Sequence, residues 1–430
     1  MRSVRNRRQN PPPMSYLPRG RAIAVFAAFA FAYFLSALVR AMTATLAPTL
    51  VAEFALSARD LGLLAGGYFL GFSLTQWPLG NWLDRYGPKR VELGLLAVAL
   101  LGCLAFATAS SFATLLLARV FIGVGVSACL MAPLTGYRRW FTPQAQMSCN
   151  AWMLMMGSLG MVASTLPVQW LLPLTGWRVM FVGVAALVLL AMLAITWQVP
   201  AWTREAPSPA DAPTPNSAAA SGYSAIWRHP YFLRLVPLGF FSYGGLVAMQ
   251  TLWAGPWLVR VAGYTPDQAA GGLFWINVAM LVAFWLWGLL MPTALRHGWD
   301  ANRLITWGLP LSFVTMALII VQGAGAGTGL WALFCVASTF VATSQPALAL
   351  AFPAAWAGRA LSAYNLVIFA GVFVVQWGVG LLVDGLRALD WAEADAYGGA
   401  MAVFLACCVL SWLWFLAGAR HNAAQSATTP

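Results

Sequence analysis

The chain has 430 residues, 61% of them hydrophobic and 8% charged, with a mean hydropathy of +0.74. Too little polar surface remains to coat a soluble body of this size, so a soluble globular protein is excluded and the chain belongs in a bilayer. The formal charge of +12 does not mark a nucleic-acid binder, because the bases lie in short segments between apolar runs and no soluble reading domain accompanies them.

Residues 1–21 form a basic N-terminus. Apolar runs of about 20 residues, the length that crosses a hydrocarbon core, follow near 22–47, 59–79, 91–110, 113–135, 147–172 and 178–199. The first is too long for a signal-peptide core and contains Arg40, so it reads as an uncleaved first helix. These six make a bundle over 22–200. A linker over 201–230 comes next, and its stretch Thr203–Ser224, rich in Pro, Ala and Ser, cannot bury enough apolar surface to fold. Six further runs, near 235–259, 268–293, 302–322, 328–351, 360–385 and 397–418, make a second bundle over 231–418, and a tail over 419–430 ends the chain. The runs are apolar all round, and without water to satisfy the backbone they are expected to be helices.

Lys and Arg near span ends accumulate on the cytoplasmic side. With both termini inside, 18 of the 24 bases fall in cytoplasmic segments, among them Arg85, Lys89, Arg90, Arg138, Arg139, Arg296, Arg303 and Arg359. Arg59, Arg178, Arg260 and Arg387 face outward, while Arg40 and Arg119 stay within helices. The expectation is a multi-pass protein of a bacterial-type inner membrane. The six cysteines show no C-x-x-C spacing, and the three histidines, His229, His297 and His421, sit in cytoplasmic segments, so neither a metal nor another cofactor is expected. Cys129, Met131, Met147, Cys149, Met153, Met156 and Met161 are soft enough for copper(I) but read as ordinary apolar filler.

Between the second and third runs, GNWLDRYGPKR places Gly80, Asp84, Arg85, Gly87, Lys89 and Arg90 in eleven residues. An Asp at a helix end can accept charge-assisted bonds from Arg or face the positive N-terminus of another helix, and such contacts can latch two domains. The bland alternative is a loop that is basic for orientation only. The segment resembles the loop between the second and third transmembrane helices of the major facilitator superfamily, roughly G-x-x-x-D-R-x-G-R/K-R, with Pro88 as a departure. That resemblance implies a secondary transporter with twelve transmembrane helices in two pseudo-symmetric six-helix bundles. It also implies that Asp84, Arg85 and Arg90 stabilise the outward-facing state and separate when the protein opens inward. Arg119, Gly123 and Gly125 resemble the R-x-x-x-G-x-G pattern of the family's fourth helix. Arg296, His297 and Gly298 echo Arg85, Tyr86 and Gly87 in the second half, in degenerate form.

Arg40 carries the substrate argument. An Arg near a helix centre costs roughly 2.5 to 3.5 kcal/mol on insertion scales, so it needs a partner. One reading places it in a binding cavity; the other has it snorkel outward, with Pro48 marking the helix end eight residues on. Arg119 comes from the other direction, and both lie about six residues, roughly 9 Å, inside the outer boundary. No Asp or Glu lies within a run away from its ends: Asp84 and Glu92 fall at the inner side and Asp384 at a helix end. The missing negative charge is then expected to belong to the substrate. The first run resembles that of organic-anion members of the superfamily, where an Arg eight residues before a Pro binds the anion. Phosphate antiporters in that group use a second Arg in helix seven; here that region offers Gln250, which suggests a carboxylate rather than a phosphate ester.

Tyr68, Tyr243, Gln250, Trp253, Asn277 and Gln376 are further cavity candidates, or else bond neighbouring helices. Asn150 and Asn365 occupy matching positions at the starts of helices five and eleven and are candidates for an inner gate. The expected function is transport of a small organic anion by alternating access, in a monomer, with a coupling ion or a counter-anion left open. No membrane carboxylate or His offers an obvious proton carrier, so anion exchange or facilitated flux stands beside proton symport. Efflux of hydrophobic or cationic compounds is an alternative, though the fifth run lacks the Gly-Pro pair of the family's drug antiporters; a non-transporting sensor is another. No nucleophile and base stand at a recognisable spacing, so an enzyme is not expected.

Overall fold

The structure is a computed structural model that describes residues 16–202 and 220–428. The first fifteen residues of the basic N-terminus, most of the linker (203–219), the last two residues, and the side chains of the tail from 419 on lie outside the described part.

The described residues are helical and contain no strand. The first half comprises α1 (Arg19–Phe54), α2 (Ala58–Tyr86), α3 (Pro88–Ala107), α4 (Phe112–Gly125), α5 (Met131–Trp140), α6 (Pro143–Ala163) and α7 (Leu166–Gln198). A short helix, α8 (Ala220–Arg228), stands at the end of the expected linker. The second half comprises α9 (Pro230–Arg260), α10 (Pro266–Arg296), α11 (Ala301–Gly325), α12 (Thr328–Leu350), α13 (Ala354–Arg387) and α14 (Glu393–Thr428). Among the described residues nine helices are long and apolar enough to cross a membrane, and α4 is a shorter apolar helix.

Local chemistry sets the boundaries. Ser57, Ser111 and Thr265 each close a reciprocal capping box that starts α2, α4 and α10, and Thr142 caps α6 ahead of Pro143. Gly87 turns the chain between α2 and α3 with φ 77, a conformation open to glycine.

Three sequence expectations change. The fourth run is not one helix: residues 126–130 break it into α4 and α5, because Pro133 cannot donate to the carbonyl of Cys129 and its ring crowds that group. Pro167 does the same at Ala163, where α6 ends, and Gly176, with φ 71, divides α7 so that the sixth span begins after it. Pro48 does not end the first helix: α1 continues through it to Phe54, fourteen residues beyond Arg40, which is about 21 Å at 1.5 Å per residue. Arg40 therefore sits deeper than the sequence suggested, out of snorkelling reach of that end.

The halves pack through α1, α2, α6 and α7 on one side and α9, α10 and α13 on the other. Within the first half, glycines set the spacing. A Cβ on Gly123 would strike the Tyr68 carbonyl, and one on Gly71 the Val120 carbonyl, so α4 crosses α2 with backbones in contact. Gly125 meets Ala99 of α3 in the same way. The glycines of the fourth-helix pattern are thus packing residues.

Candidate functional site

Two faces can be told apart by charge. The basic face carries the loop at Gly87 with Arg85, Lys89 and Arg90, together with Arg138, Arg296, Arg303 and Arg359; the opposite face carries Glu53, Asp60, Asp267, Asp384, Glu393 and Asp395.

Arg40 lies between these faces on α1, partly buried, with the Tyr33 and Tyr68 hydroxyls beside its guanidinium. Tyr33 precedes it by seven residues, two helical turns, and so shares its face. Tyr243 approaches from the second half, within electrostatic reach of Tyr33 and Arg40. The Nε of Arg40 has no hydrogen-bond partner. Tyr68 is fixed by its hydroxyl, which donates to the Ser36 carbonyl at 3.3 Å. Arg119 lies on the ring side of Tyr68, its guanidinium 5.3 Å from the ring centroid, and is 1% exposed. Its Nη1 donates to the Val39 carbonyl at 2.9 Å. Both arginines neighbour Tyr68, Arg40 at its hydroxyl and Arg119 at its ring, but Arg119 ties α4 to α1 within the first bundle, whereas Arg40 is within electrostatic reach of Tyr243 of the second half.

The remaining candidates separate into two groups. Gln250 bonds Asn277 at 2.9 Å, joining α9 to α10. Trp253 and Gln376 are fully buried: the Trp253 indole donates to the Gln376 carbonyl at 3.2 Å, and the Gln376 amide to Thr251 Oγ at 3.0 Å. Tyr243, Gln250 and Trp253 all fall in two π-helical stretches of α9, Leu238–Tyr243 and Met249–Trp253, a geometry that recurs at functional sites. Asn365 is buried and accepts from Gln345, which in turn accepts from the Tyr243 hydroxyl at 3.3 Å, whereas Asn150 is exposed. Tyr33 and Gln345 are additions that sequence reasoning missed. Only the seven-residue spacing of Tyr33 from Arg40 could have signalled either.

The seam between α2 and α13 crosses the molecule. At the opposite face, Asp384 of α13 accepts from the backbone amides of Ala58 and Arg59, at 3.2 and 2.8 Å, at the N-terminus of α2. Below it the helices are in backbone contact, since a Cβ on Gly380 would strike the Ala58 carbonyl and one on Gly62 the Gln376 carbonyl. Phe69 and Phe72 then pack on Phe369, and Ser73 donates to the Leu366 carbonyl at 3.2 Å. Beyond Ser73, α2 turns to its own bundle: Gln76 bonds the Ser127 carbonyl, and Leu79 and Leu83 pack on Val91 and Leu95. At the basic face Asp84 is exposed and makes no hydrogen bond or ion pair with a described residue. Arg85 rests on the Tyr86 ring, Arg90 is exposed, and a Cβ on Gly80 would meet only open space. Lys89 donates to the carbonyls of Thr196 and Val199, at 2.7 and 2.8 Å, capping the end of α7. A recess of about 270 Å³ lies between the halves at the opposite face, lined by Thr45, Arg260, Asp384, Arg387, Glu393 and Tyr397 among others.

One acid departs from its expected place. Glu92 of α3, expected at the inner boundary, is 0% exposed and lies within the first bundle, because α5 passes over the start of α3. Among the described residues no group of three His, Cys, Asp or Glu side chains is placed to hold a metal ion.

Two helical halves meeting around a partly buried arginine, joined by a seam that is tight at one face only, describe a polytopic membrane transporter rather than an enzyme. The Major Facilitator Superfamily model matches residues 29–376, and the chain belongs to that family. The chain is 27% identical over 363 residues to the 3-(3-hydroxy-phenyl)propionate transporter of Escherichia coli K12, a match covering 77% of this chain and 85% of that protein. It is 34% identical over 117 residues to the nitrate/nitrite transporter NrtP of Picosynechococcus, where the match spans 26% of this chain and 21% of the relative. Among solved structures, a bacterial homologue of the human lysosomal transporter Spinster, in an inward-facing and unoccupied conformation, superposes with a TM-score of 0.77 at 17% identity, covering 94% of this chain and 98% of that one. The D-xylose-proton symporter superposes with a TM-score of 0.73 at 16% identity, covering 92% and 97%.

Proposed function

We propose that the protein carries a small organic anion across a bacterial-type inner membrane by alternating access, with the anion's carboxylate held by Arg40. The observation that carries this reading is the placement of Arg40: a charged fork at the junction of the halves, with an unpartnered Nε, the Tyr33 and Tyr68 hydroxyls beside it and Tyr243 within electrostatic reach. Guanidinium geometry suits a carboxylate, and a phenolic wall suits an aromatic body beside it. The relative that matches most of this chain is named for an aromatic propionate, which fits both features. With the basic face cytoplasmic, the tight seam closes the periplasmic side and the unlatched loop at Asp84 belongs to an inward-facing state. Asp84, Arg85 and Arg90 would then come together when the protein turns outward.

Counterflow of labelled 3-(3-hydroxyphenyl)propionate in proteoliposomes tests the reading, with binding to the purified protein measured in parallel. Loss of a charged hydrogen bond is worth about 1.5 to 3 kcal/mol, so Arg40→Gln should bind about 10- to 150-fold more weakly. Equal binding by the wild type and Arg40→Gln, or stabilisation by lipophilic cations alone, would overturn the anion reading.

A further inference from the structure

The recess between the halves at the opposite face lies in series with Arg40 on one helix. Ala44, Ala47 and Val51 line it and follow Arg40 by four, seven and eleven residues, so they share its face of α1. Ala44, the lining residue of α1 nearest Arg40, is about 6 Å further out at 1.5 Å per residue. There the second half closes in: a Cβ on Gly255 of α9, which also lines the recess, would come within 3.2 Å of the Ala44 carbonyl. The recess is amphipathic. Val51, Leu61, Val259 and Leu273 give it apolar walls from α1, α2, α9 and α10, and Tyr397 adds an aromatic ring. Its volume of about 270 Å³ stands next to the lower end of the range, about 300 to 1,000 Å³, that holds small ligands.

Four charged side chains complete the lining, and they are unevenly spent. Asp384 gives its two carboxylate oxygens to the Ala58 and Arg59 amides of the other half. Glu393 stands 3.9 Å from the Arg260 Nε, at the outer limit of an ion pair. Arg387 makes no side-chain hydrogen bond or ion pair with a described residue. A helix neighbour three residues away, as Asp384 is, would ordinarily be its counter-ion, but the N-terminus of α2 has taken that carboxylate. The closed seam thus leaves a cation without its acid on the wall of an apolar recess, and a guanidinium in that position suits a carboxylate.

We propose that this recess is a second anion site, separate from Arg40, which takes a small organic carboxylate on Arg387 with its apolar body against α1, α9 and α10, and which exists only while the seam is closed. The proposal rests on the anion reading and the orientation given above. When the seam opens, the α2 amides leave Asp384, whose carboxylate then pairs with Arg387 and displaces the anion. An occupant of the recess touches both halves and so favours the closed seam. External anion at high concentration therefore holds the carrier inward-facing and slows its return.

Equilibrium binding of labelled 3-(3-hydroxyphenyl)propionate to the purified full chain tests the site. The wild type should bind a second, weaker equivalent per chain, and Arg387→Gln should weaken that equivalent at least about tenfold, the worth of a charged hydrogen bond. Arg40→Gln should keep the equivalent that Arg387→Gln removes. A single equivalent that Arg40→Gln abolishes and Arg387→Gln leaves intact overturns the proposal and keeps the anion reading. A single equivalent with the reverse dependence keeps the outer site and overturns the anion reading, and no binding at all overturns both. Should Arg387→Gln fail to fold, Arg387→Lys replaces it: the charge stays but the planar fork is lost, so the second equivalent should weaken, and an unchanged affinity overturns the assignment. In proteoliposomes, wild-type counterflow should rise and then fall as the probe is raised, with the fall moved to at least about tenfold more probe in Arg387→Gln. A wild-type rate that stays at its plateau overturns the slowing of return.

Discussion

At the opposite face, α2 and α13 are joined by a carboxylate seated on two backbone amides and by glycines that bring backbone against backbone, whereas at the basic face the same helices part after Ser73 and leave Asp84 without a polar partner among the described residues. The closed end is held by an Asp near the end of one helix and the N-terminus of a helix in the other half. In the proposed cycle Asp84 would make the corresponding contact when the protein turns outward, and the two ends would then alternate as a two-state carrier requires.

Three substitutions can break or sharpen that comparison. Gly62→Val forces a Cβ onto the Gln376 carbonyl, a backbone atom that cannot swing aside. Overpacking of this kind costs about 1 to 3 kcal/mol, so the seam should separate, with a lower melting temperature and rapid labelling of a cysteine placed at Thr45; unchanged labelling would mean that the glycines do not hold this end. Asp384→Ala removes the acceptor from two N-terminal amides, worth about 1 to 2 kcal/mol. Labelling at the same position should rise roughly 5- to 30-fold, and a salt-insensitive or absent rise would place the closure in packing alone. Asp84→Asn should have the smallest effect on the conformation described here, because Asp84 is exposed and makes no hydrogen bond or ion pair with a described residue in it. Its expected signature is slower return to the outward-facing state, seen as reduced transport with unchanged melting temperature. A clear loss of stability would show that Asp84 already bears a contact.

Much of this architecture could be read before any coordinates. The spans were legible because a bilayer demands about 20 apolar residues whatever their order, and the turn at Gly87 because its φ of 77 suits glycine. What was illegible depends on neighbours. Pro48 leaves α1 unbroken since, in a packed membrane bundle, the bond it forfeits is tolerated, while Pro133 and Pro167 do break their helices. Hydropathy locates Glu92 near a span end but cannot show that α5 covers it. The partners of Asp384 lie more than 300 residues away in sequence. Arg40 stands out in the sequence by its charge within an apolar run and its spacing from Pro48; its tyrosine surroundings needed the fold.

The two π-helical stretches of α9 bear on how this transporter could diverge. A π turn holds one residue more than an α turn, so each resets the helix by about 100° without adding a turn. Tyr243, Gln250 and Trp253 owe the faces they occupy to those extra residues. Loss of a single residue between 249 and 253 would restore an α-helix and rotate everything on one side of it relative to the cavity, while the span still crossed the bilayer. A one-residue deletion there would thus re-aim several side chains of α9 at once, a change that no single substitution makes.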